Sequence, residues 1–318
     1  MANQSFKYKF TFFTPCYNAA PFIHRVFKTL DSQTYRNFEW IVINDASTDN
    51  TADLIREYIK NVDFPVKFFD LKKNQMLAAN YNLAFENTEG ELFFLHDHDD
   101  EFVPTVLEDM LRLYEQYDAE DVCGLVARCE TQFGKVTPCE FTKPLMTYFE
   151  YGIDKNGNFT GEAPRVLKTD VFKKYMPFEA KEMINPTIEK LMALDGYKFI
   201  TTNQIIRKYY VSENATALTY SANKYRYHLW KDALLDINKC QPFMHWSASR
   251  KFKGLLNYAY SSIQLKLGFK KTLSFLRKDR VKVAFVYPFG WCMCLIANNK
   301  FLHNLILRIT TGQKTPIE

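Results

Sequence analysis

The chain has 318 residues, 41 Lys and Arg against 36 Asp and Glu, and is 47% hydrophobic, 24% charged and 16% aromatic, with 28 Phe and 19 Tyr. This is the globular range, and the length allows one large domain with an appendage or two domains. The sequence shows no low-complexity segment and no internal repeat. The net charge of +5 hides an asymmetry: residues Tyr220–Glu318 hold 17 Lys and Arg against 4 Asp and Glu, a balance of +13, which leaves −8 for the first 219 residues. The two parts are therefore expected to face different surfaces or partners. The opening MANQSFKYKF has no apolar h-region, so no signal peptide is expected. Seven Cys, an odd number at irregular spacing, point to a reducing compartment.

In chain order, KFTFFTP (Lys9 to Pro15) reads as an aromatic strand ended by proline. Phe22, Val26, Phe27 and Leu30 have helical spacing. FEWIVIN (Phe38 to Asn44) is a near-continuous apolar strand, as expected when both faces are buried. A polar turn with Asp49 or Asn50 as cap leads into a second helix. VKFFD, MLAANYNLAFEN, ELFFLHD and PTVLEDMLRLYEQY then read as strand, helix, strand and helix. The alternation predicts an α/β domain with a mostly parallel sheet and right-handed crossovers. In such sheets ligands bind beyond the carboxyl ends of the strands. Three polar clusters sit at such ends: TPCYN, NDASTDNT and HDHDD.

The first turn, TPCYNAAPF, has no glycine, which excludes a Gly-x-Gly-x-x-Gly dinucleotide site, and there is no Gly-Lys-Ser/Thr phosphate loop. If phosphates bind here, a cation must offset their charge. Asp97, Asp99 and Asp100 supply hard oxygen ligands that suit Mg²⁺ or Mn²⁺. Read as a continuing strand, the segment points Asp97 and Asp99 one way and His96, His98 and Asp100 the other.

The segment from Pro15, Tyr17 and Asn18 through Ser32-Gln33, Asn44-Asp45-Ala46-Ser47-Thr48-Asp49-Asn50-Thr51 and Asp97-His98-Asp99-Asp100 resembles the N-terminal part of glycosyltransferase family 2, over roughly the first 105 residues. The resemblance implies a GT-A fold, a Rossmann-like nucleotide-binding sheet with helices on both faces, followed here by a C-terminal helical extension. It implies an inverting transfer of a sugar from a nucleotide-diphosphate donor, most simply a UDP-sugar, to a glycan or lipid-linked acceptor in surface-polysaccharide synthesis. In that pattern Pro15 and Tyr17 flank the base and Asn18 lies in the same turn. Asp45 accepts a hydrogen bond from the base. Asp97 contacts the ribose or metal region, and Asp99 ligates the Mn²⁺ or Mg²⁺ that bridges the diphosphate. The chain departs from the pattern at NQMLAANYN, where Met76 replaces a Gly and Asn80-Tyr81 replaces Ala-Arg.

Inverting transfer needs a carboxylate to take the acceptor's proton. The family places it about twelve residues before a turn like Gly196-Tyr197-Lys198, but the chain has Ile184-Asn185-Pro186 there. The nearest acids are Glu179, Glu182 and Glu189, and Glu182 is the expected base. Two other classes stay open: a catalytically silent nucleotide-sugar-binding protein, and a nucleotidyltransferase on a related fold, although the latter would want a Gly-rich N-terminal signature.

The expected organisation is a transferase domain over residues 1–219, with a nucleotide-sugar half (1–105) and an acceptor half (106–219), then a basic, aromatic-rich helical extension over 220–318. Residues Val283–Asn299 are uncharged but too short to span a bilayer, and Pro288 and Gly290 are expected to interrupt a helix there. Tyr287, Phe289 and Trp291 suit a membrane interface, and the segment KFLHNLILRI reads as an amphipathic basic helix. Two readings of residues 220–318 stay open, a packed helical cap on the transferase domain and a peripheral contact to the anionic inner membrane face; the expectation is a cytoplasmic protein with the membrane contact and no nucleic acid partner.

Overall fold

The computed structural model describes residues 6–154, 159–178, 187–210, 226–244 and 246–296. It divides into two compact units, Met1–Gly152 with Phe159–Ala215, and Ile153–Asn158 with Thr216–Glu318.

The first unit is built on one sheet. Its strands are β1 (Tyr8–Cys16), β2 (Phe38–Asn44), β3 (Val66–Asp70), β4 (Gly90–Leu95), β5 (Glu101–Phe102), β6 (Val122–Thr131), β7 (Val136–Thr137), β8 (Leu145–Met146), β9 (Arg165–Lys168) and β10 (Lys198–Tyr209). The helices are α1 (His24–Asp31), α2 (Thr51–Tyr58), α3 (Met76–Asn87), α4 (Val106–Tyr117), α5 (Tyr148–Tyr151), α6 (Thr169–Lys173) and α7 (Thr187–Leu194). The main strand order is β3-β2-β1-β4-β9-β6-β10-β5. The first four strands run parallel, in the alternation expected from the sequence. β9 then enters antiparallel to both β4 and β6, while β6 and β10 are again parallel. Gly124 in β6 makes that insertion fit, because a Cβ there would lie 2.2 Å from the Val166 carbonyl oxygen of β9.

Strand alternation explains the phenylalanine content. Phe12 of β1 packs one face against Phe38 and Phe94, while Phe13 turns to the other face and meets Tyr81 and Phe93. The second face grows into a cluster in which Phe85 stacks on Phe93 and Phe172. With helices covering both faces, strands read as apolar runs rather than alternating ones.

β4 ends at Leu95, two residues short of the strand ELFFLHD, and His98-Asp99 form a turn. The strand alternation expected for His96 to Asp100 therefore does not apply. Parallel pairing with β1 stops at Phe13↔Leu95, so the acidic cluster has no ladder to continue.

The second unit contains α8 (Arg226–Leu235), α9 (Ala248–Gln264), α10 (Phe269–Ser274) and α11 (Arg280–Ile296) around a core of Trp230, Ile237, Leu255, Tyr258, Ala259, Leu276, Val283 and Val286. Contrary to the expected interruption, α11 runs through Pro288. Gly290 does not break it either. Its missing Cβ lets α11 approach α9, since a Cβ would sit 3.2 Å from the Tyr260 backbone nitrogen. The KFLHNLILRI segment lies outside the described residues. No helix among the described residues is long and apolar enough to cross a membrane.

Candidate active site

The ends of β1, β2 and β4 adjoin because β1 pairs with both other strands. Side-chain hydrogen bonds then tie the loops together. The Asn18 N–H donates to Ser47 Oγ (2.9 Å), and Asn18 Oδ1 accepts from the Thr48 N–H (2.8 Å). The Ala19 N–H donates to Thr51 Oγ1, and the Ala20 N–H to Asp49 Oδ2. Asp49 Oδ1 also accepts from the Thr51 N–H at 3.1 Å, at the start of α2. Asn18, expected beside the nucleotide, thus uses its carboxamide oxygen to hold the second loop in place. Tyr17 next to it is 40% exposed.

Asp45 is buried at the end of β2 and accepts two backbone N–H groups, Gln75 at 2.7 Å and Met76 at 3.0 Å. Its carboxylate therefore anchors the start of α3. A carboxylate has about four acceptor positions, so two filled ones leave room for a ring N–H. Asp45→Ala strands two N–H donors and should cost about 1–3 kcal/mol of stability, read by urea denaturation. Unchanged stability would show that the anchor is dispensable.

Met76 itself has φ +70°, a left-handed conformation that costs a side-chain-bearing residue about 1–2 kcal/mol. This is the position where the resembled family often has Gly. Met76→Gly should stabilise the chain by about 1 kcal/mol in the same denaturation assay, and a destabilised variant would mean that the Met76 side chain outweighs its backbone strain. Ala46 (φ +59°) and Asn18 (φ +51°) share this conformation. Strained residues gathered at one set of strand ends are the pattern of a functional site.

The other departure has a packing cause. Tyr81, where the family often has Arg, is buried with its ring against Phe13 and close to Phe85, Phe93, Phe172 and Phe178. The neighbouring Asn82 holds the Phe178 backbone through both its amide and its oxygen.

Beyond β4, the buried His96 donates from Nδ1 to the Asp97 carbonyl at 2.9 Å, and His98 donates from Nδ1 to the Pro15 carbonyl at 3.2 Å. A carbonyl only accepts, so both rings carry their proton on Nδ1. Loss of water lowers the His96 pKa to about 4, and the ring is neutral. Asp97 and Asp99 are half-exposed, whereas Asp100 is buried.

One residue that sequence reasoning missed organises this cluster. The buried guanidinium of Arg207, near the end of β10, lies 3.5 Å from Asp97, 3.3 Å from Asp100, 3.6 Å from Glu162 and 3.7 Å from Cys129 Sγ. Asp100 Oδ1 also accepts the Tyr210 N–H at 3.1 Å. Burial pushes the Asp100 carboxyl up to about 8, and Arg207 pulls against that rise. Asp97 is likewise raised, chiefly by loss of water, with Asp99 adding to it and Arg207 opposing. Arg25 was also missed. Its Nη1 donates to the Asp99 backbone carbonyl at 2.7 Å, and its guanidinium lies 3.6 Å from the Tyr210 ring centre. The available signal for Arg207 was a charge inside the apolar run of QIIRKYY, which a strand buries only beside opposite charge.

Three carboxylates lie within 3.6 Å of the one guanidinium and Asp99 stands between two of them in the chain, an acidic excess that a divalent cation would offset. No three His, Cys, Asp or Glu side chains converge into a metal cage among the described residues. The half-exposed pair Asp97 and Asp99 fits Mg²⁺ or Mn²⁺ in the manner of phosphate-bridged sites, where one or two carboxylates serve and phosphate and water complete the shell.

The expected base, Glu182, and Glu179 lie outside the described residues. Glu189 is removed as a candidate. It is buried on α7, ion-paired with Arg165, and accepts from the Tyr151 hydroxyl at 3.2 Å.

Comparison with known proteins agrees with the fold. Similar solved structures include Staphylococcus aureus TarS 1–349 in complex with UDP-GlcNAc (TM-score 0.59, 18% identity, 98% of this chain and 94% of that one). The mannosyltransferase PcManGT from Pyrobaculum calidifontis, in complex with GDP-Man and Mn²⁺, is similar at TM-score 0.58 and 17% identity, over 97% of this chain and 84% of that one. Among curated proteins, the chain is 28% identical over 213 residues to the teichoic acid poly(glycerol phosphate) polymerase of Staphylococcus epidermidis, covering 67% of this chain and 24% of that protein. It is 29% identical over 118 residues to the putative glycosyltransferase EpsE of Bacillus subtilis, covering 37% and 42%. The chain thus matches between 24% and 42% of the length of these curated relatives. The Glycosyl transferase family 2 model matches residues 11–175, just over half of the chain, with the ends of β1, β2 and β4 inside the match, and the chain belongs to that family.

Proposed function

We propose that the chain transfers a sugar, with inversion, from a nucleotide-diphosphate donor, most simply a UDP-sugar, to a glycan or lipid-linked acceptor in cell-surface polysaccharide synthesis. The observation that carries this reading is the adjacency of three strand ends: the exposed Tyr17, the buried Asp45 and the half-exposed Asp97 and Asp99 follow β1, β2 and β4, and β1 pairs with both other strands. Tyr17 stacks on the base, Pro15 lines the same side, and Asp45 accepts a ring N–H. Asp97 and Asp99 would hold Mg²⁺ or Mn²⁺, which when bound offsets the charge that grows on the departing nucleoside diphosphate. The structural neighbours with UDP-GlcNAc and with GDP-Man and Mn²⁺ support a donor of this class. The teichoic acid polymerase relative supports a surface-polymer setting.

Residues 1–105 serve as the nucleotide-sugar half and 106–219 as the acceptor half. The extension, 220–318, brings a cytoplasmic protein to the inner membrane face, where a lipid-linked acceptor is found. A thermal-shift panel of UDP- and GDP-sugars, run with Mn²⁺ and with chelator, tests the donor assignment. Stabilisation that needs both a UDP-sugar and the metal is expected. No shift with any nucleotide sugar would overturn it.

Glu182 is the proposed general base. Glu182→Gln is nearly isosteric, so donor binding should persist while transfer falls by about 10²-fold. An unchanged rate would move the role elsewhere, first to Glu179 and then to the partly exposed Glu162 beside Arg207. The second reading, a silent nucleotide-sugar-binding protein, draws on the absence of an acid at Ile184-Asn185. Metal-dependent hydrolysis of the donor would exclude it.

A further inference from the structure

α11 is apolar on both sides. Its inward face buries Val283, Val286 and Gly290, the last against Tyr260 of α9. At 100° per residue, Val281, Phe285, Pro288, Phe289 and Cys292 fall on the opposite face, with Trp291 at its margin. These side chains face outward: Val281 is 83% exposed, Phe285 70%, Phe289 53% and Trp291 54%. Pro288 and Cys292 are exposed as well, against the usual tendency of free Cys to be buried. Phe269 of α10, itself 45% exposed, extends the patch by packing edge-on against Tyr287 (5.0 Å). An apolar, aromatic surface of this extent is unusual on a soluble protein.

Charge identifies what covers it. Residues 246–296 hold ten Lys and Arg and a single acid, Asp279, which is paired with Lys282 at 2.6 Å. Lys270 and Lys271 stand beside Phe269, and Arg277, Lys278, Arg280 and Lys282 surround the first turn of the apolar face. A second copy of the chain would press the same bases against one another. A surface that is negative at its rim and apolar just below it satisfies both features, as an anionic bilayer does. The described part of α11 is 17 residues, about 25 Å, and its inward face is held by α9, which favours lying along the interface.

We propose that the outward face of α11 docks into the headgroup region of an anionic membrane. Phe285, Phe289 and Trp291 enter the acyl boundary, and Lys270, Lys271, Arg277 and Lys278 contact lipid phosphates. This deepens the membrane contact proposed above and rests on that reading for its purpose. The vesicle assay uses no donor or acceptor, so its failure and failure of the transferase reading stay distinguishable.

The test uses the full chain with phosphatidylglycerol and phosphatidylcholine vesicles. Co-sedimentation with phosphatidylglycerol is expected at about 0.1 M salt, with only partial release at about 1 M, where the Debye length has fallen to about 3 Å. Trp40, Trp230 and Trp246 are buried, so a blue shift of emission on binding reports Trp291. The exposed pair F285S/F289S should keep its fold and its donor hydrolysis, lose the blue shift, and bind about tenfold or more weakly. K270E/K271E/R277E/K278E should lose the salt-sensitive part. Indifference to phosphatidylglycerol at low salt overturns the proposal. So does F285S/F289S binding as tightly as wild type, which would reduce the contact to charge alone. A wild-type dimer that F285S/F289S converts to monomer would assign the face to a second copy and also overturn it.

Discussion

Asp99→Ala should abolish the response of donor hydrolysis to Mn²⁺ and lower the rate by about 10³-fold, because a cation at the diphosphate supplies several kcal/mol of charge stabilisation. The fold should survive. What Asp99 contributes to packing is its backbone carbonyl, which accepts the Arg25 Nη1–H at 2.7 Å, and alanine keeps that carbonyl. Its carboxylate is half-exposed on a turn, so removal leaves no buried group stranded. Asp97 is a poorer test, because its loss also removes a partner of the buried Arg207 at 3.5 Å. Manganese binding to Asp99→Ala, followed by electron paramagnetic resonance with UDP present, provides a readout apart from turnover. A variant that hydrolyses the donor at the wild-type rate in limiting Mn²⁺ would remove Asp99 from the site.

The nucleotide half was legible because its signals are local. Apolar runs of five to seven residues alternate with helical stripes from Tyr8 to Tyr117, and the polar clusters fall where the strands stop. Direction was not legible: RVLK reads as a strand, but nothing in four residues says that it enters antiparallel between β4 and β6. The same limit applies to the site. Tyr17, Asp45, Asp97 and Asp99 stand within recognisable turns. Arg207 is 107 residues beyond Asp100 in the chain and becomes its partner only when β10 pairs with β5 at Arg207↔Phe102. Asp45 illustrates a subtler loss. Its type announced an acceptor, but not that two of its acceptor positions serve Gln75 and Met76, because the start of α3 reaches it only in three dimensions.

These placements change how variants should be read. Because the Asp45 carboxylate anchors the start of α3, any binding loss in an Asp45 variant must be compared at equal folded fraction. The aromatic cluster around Tyr81 supplies rigidity on the face where the resembled pattern has a basic residue, and the positive charge near the crevice comes instead from Arg25 and Arg207.

Arg207→Met should destabilise the fold most at alkaline pH, where Asp100 is ionised, approaching the roughly 3–5 kcal/mol penalty for leaving a buried charge without its partner. Methionine matches the length and apolar stem of arginine, so the loss reflects charge rather than a cavity. The pH dependence separates this from simple misfolding. The Asp100 carboxyl titrates near 8 in the fold, well above its unfolded value. The folded state therefore holds the extra proton between those limits, and stability falls as pH rises through them. Without Arg207 the folded carboxyl is pushed higher still, and the fall continues past pH 8. In metal-free buffer the gap between wild type and Arg207→Met should accordingly widen from pH 6 to pH 9. Arg207→Lys, which restores one charge without the planar fork, should recover part of it. Guanidinium denaturation at the two pH values measures the gap. A penalty that is constant across them, or below about 1 kcal/mol, would mean that Asp97, Asp100 and Glu162 do not depend on Arg207 for their counter-charge.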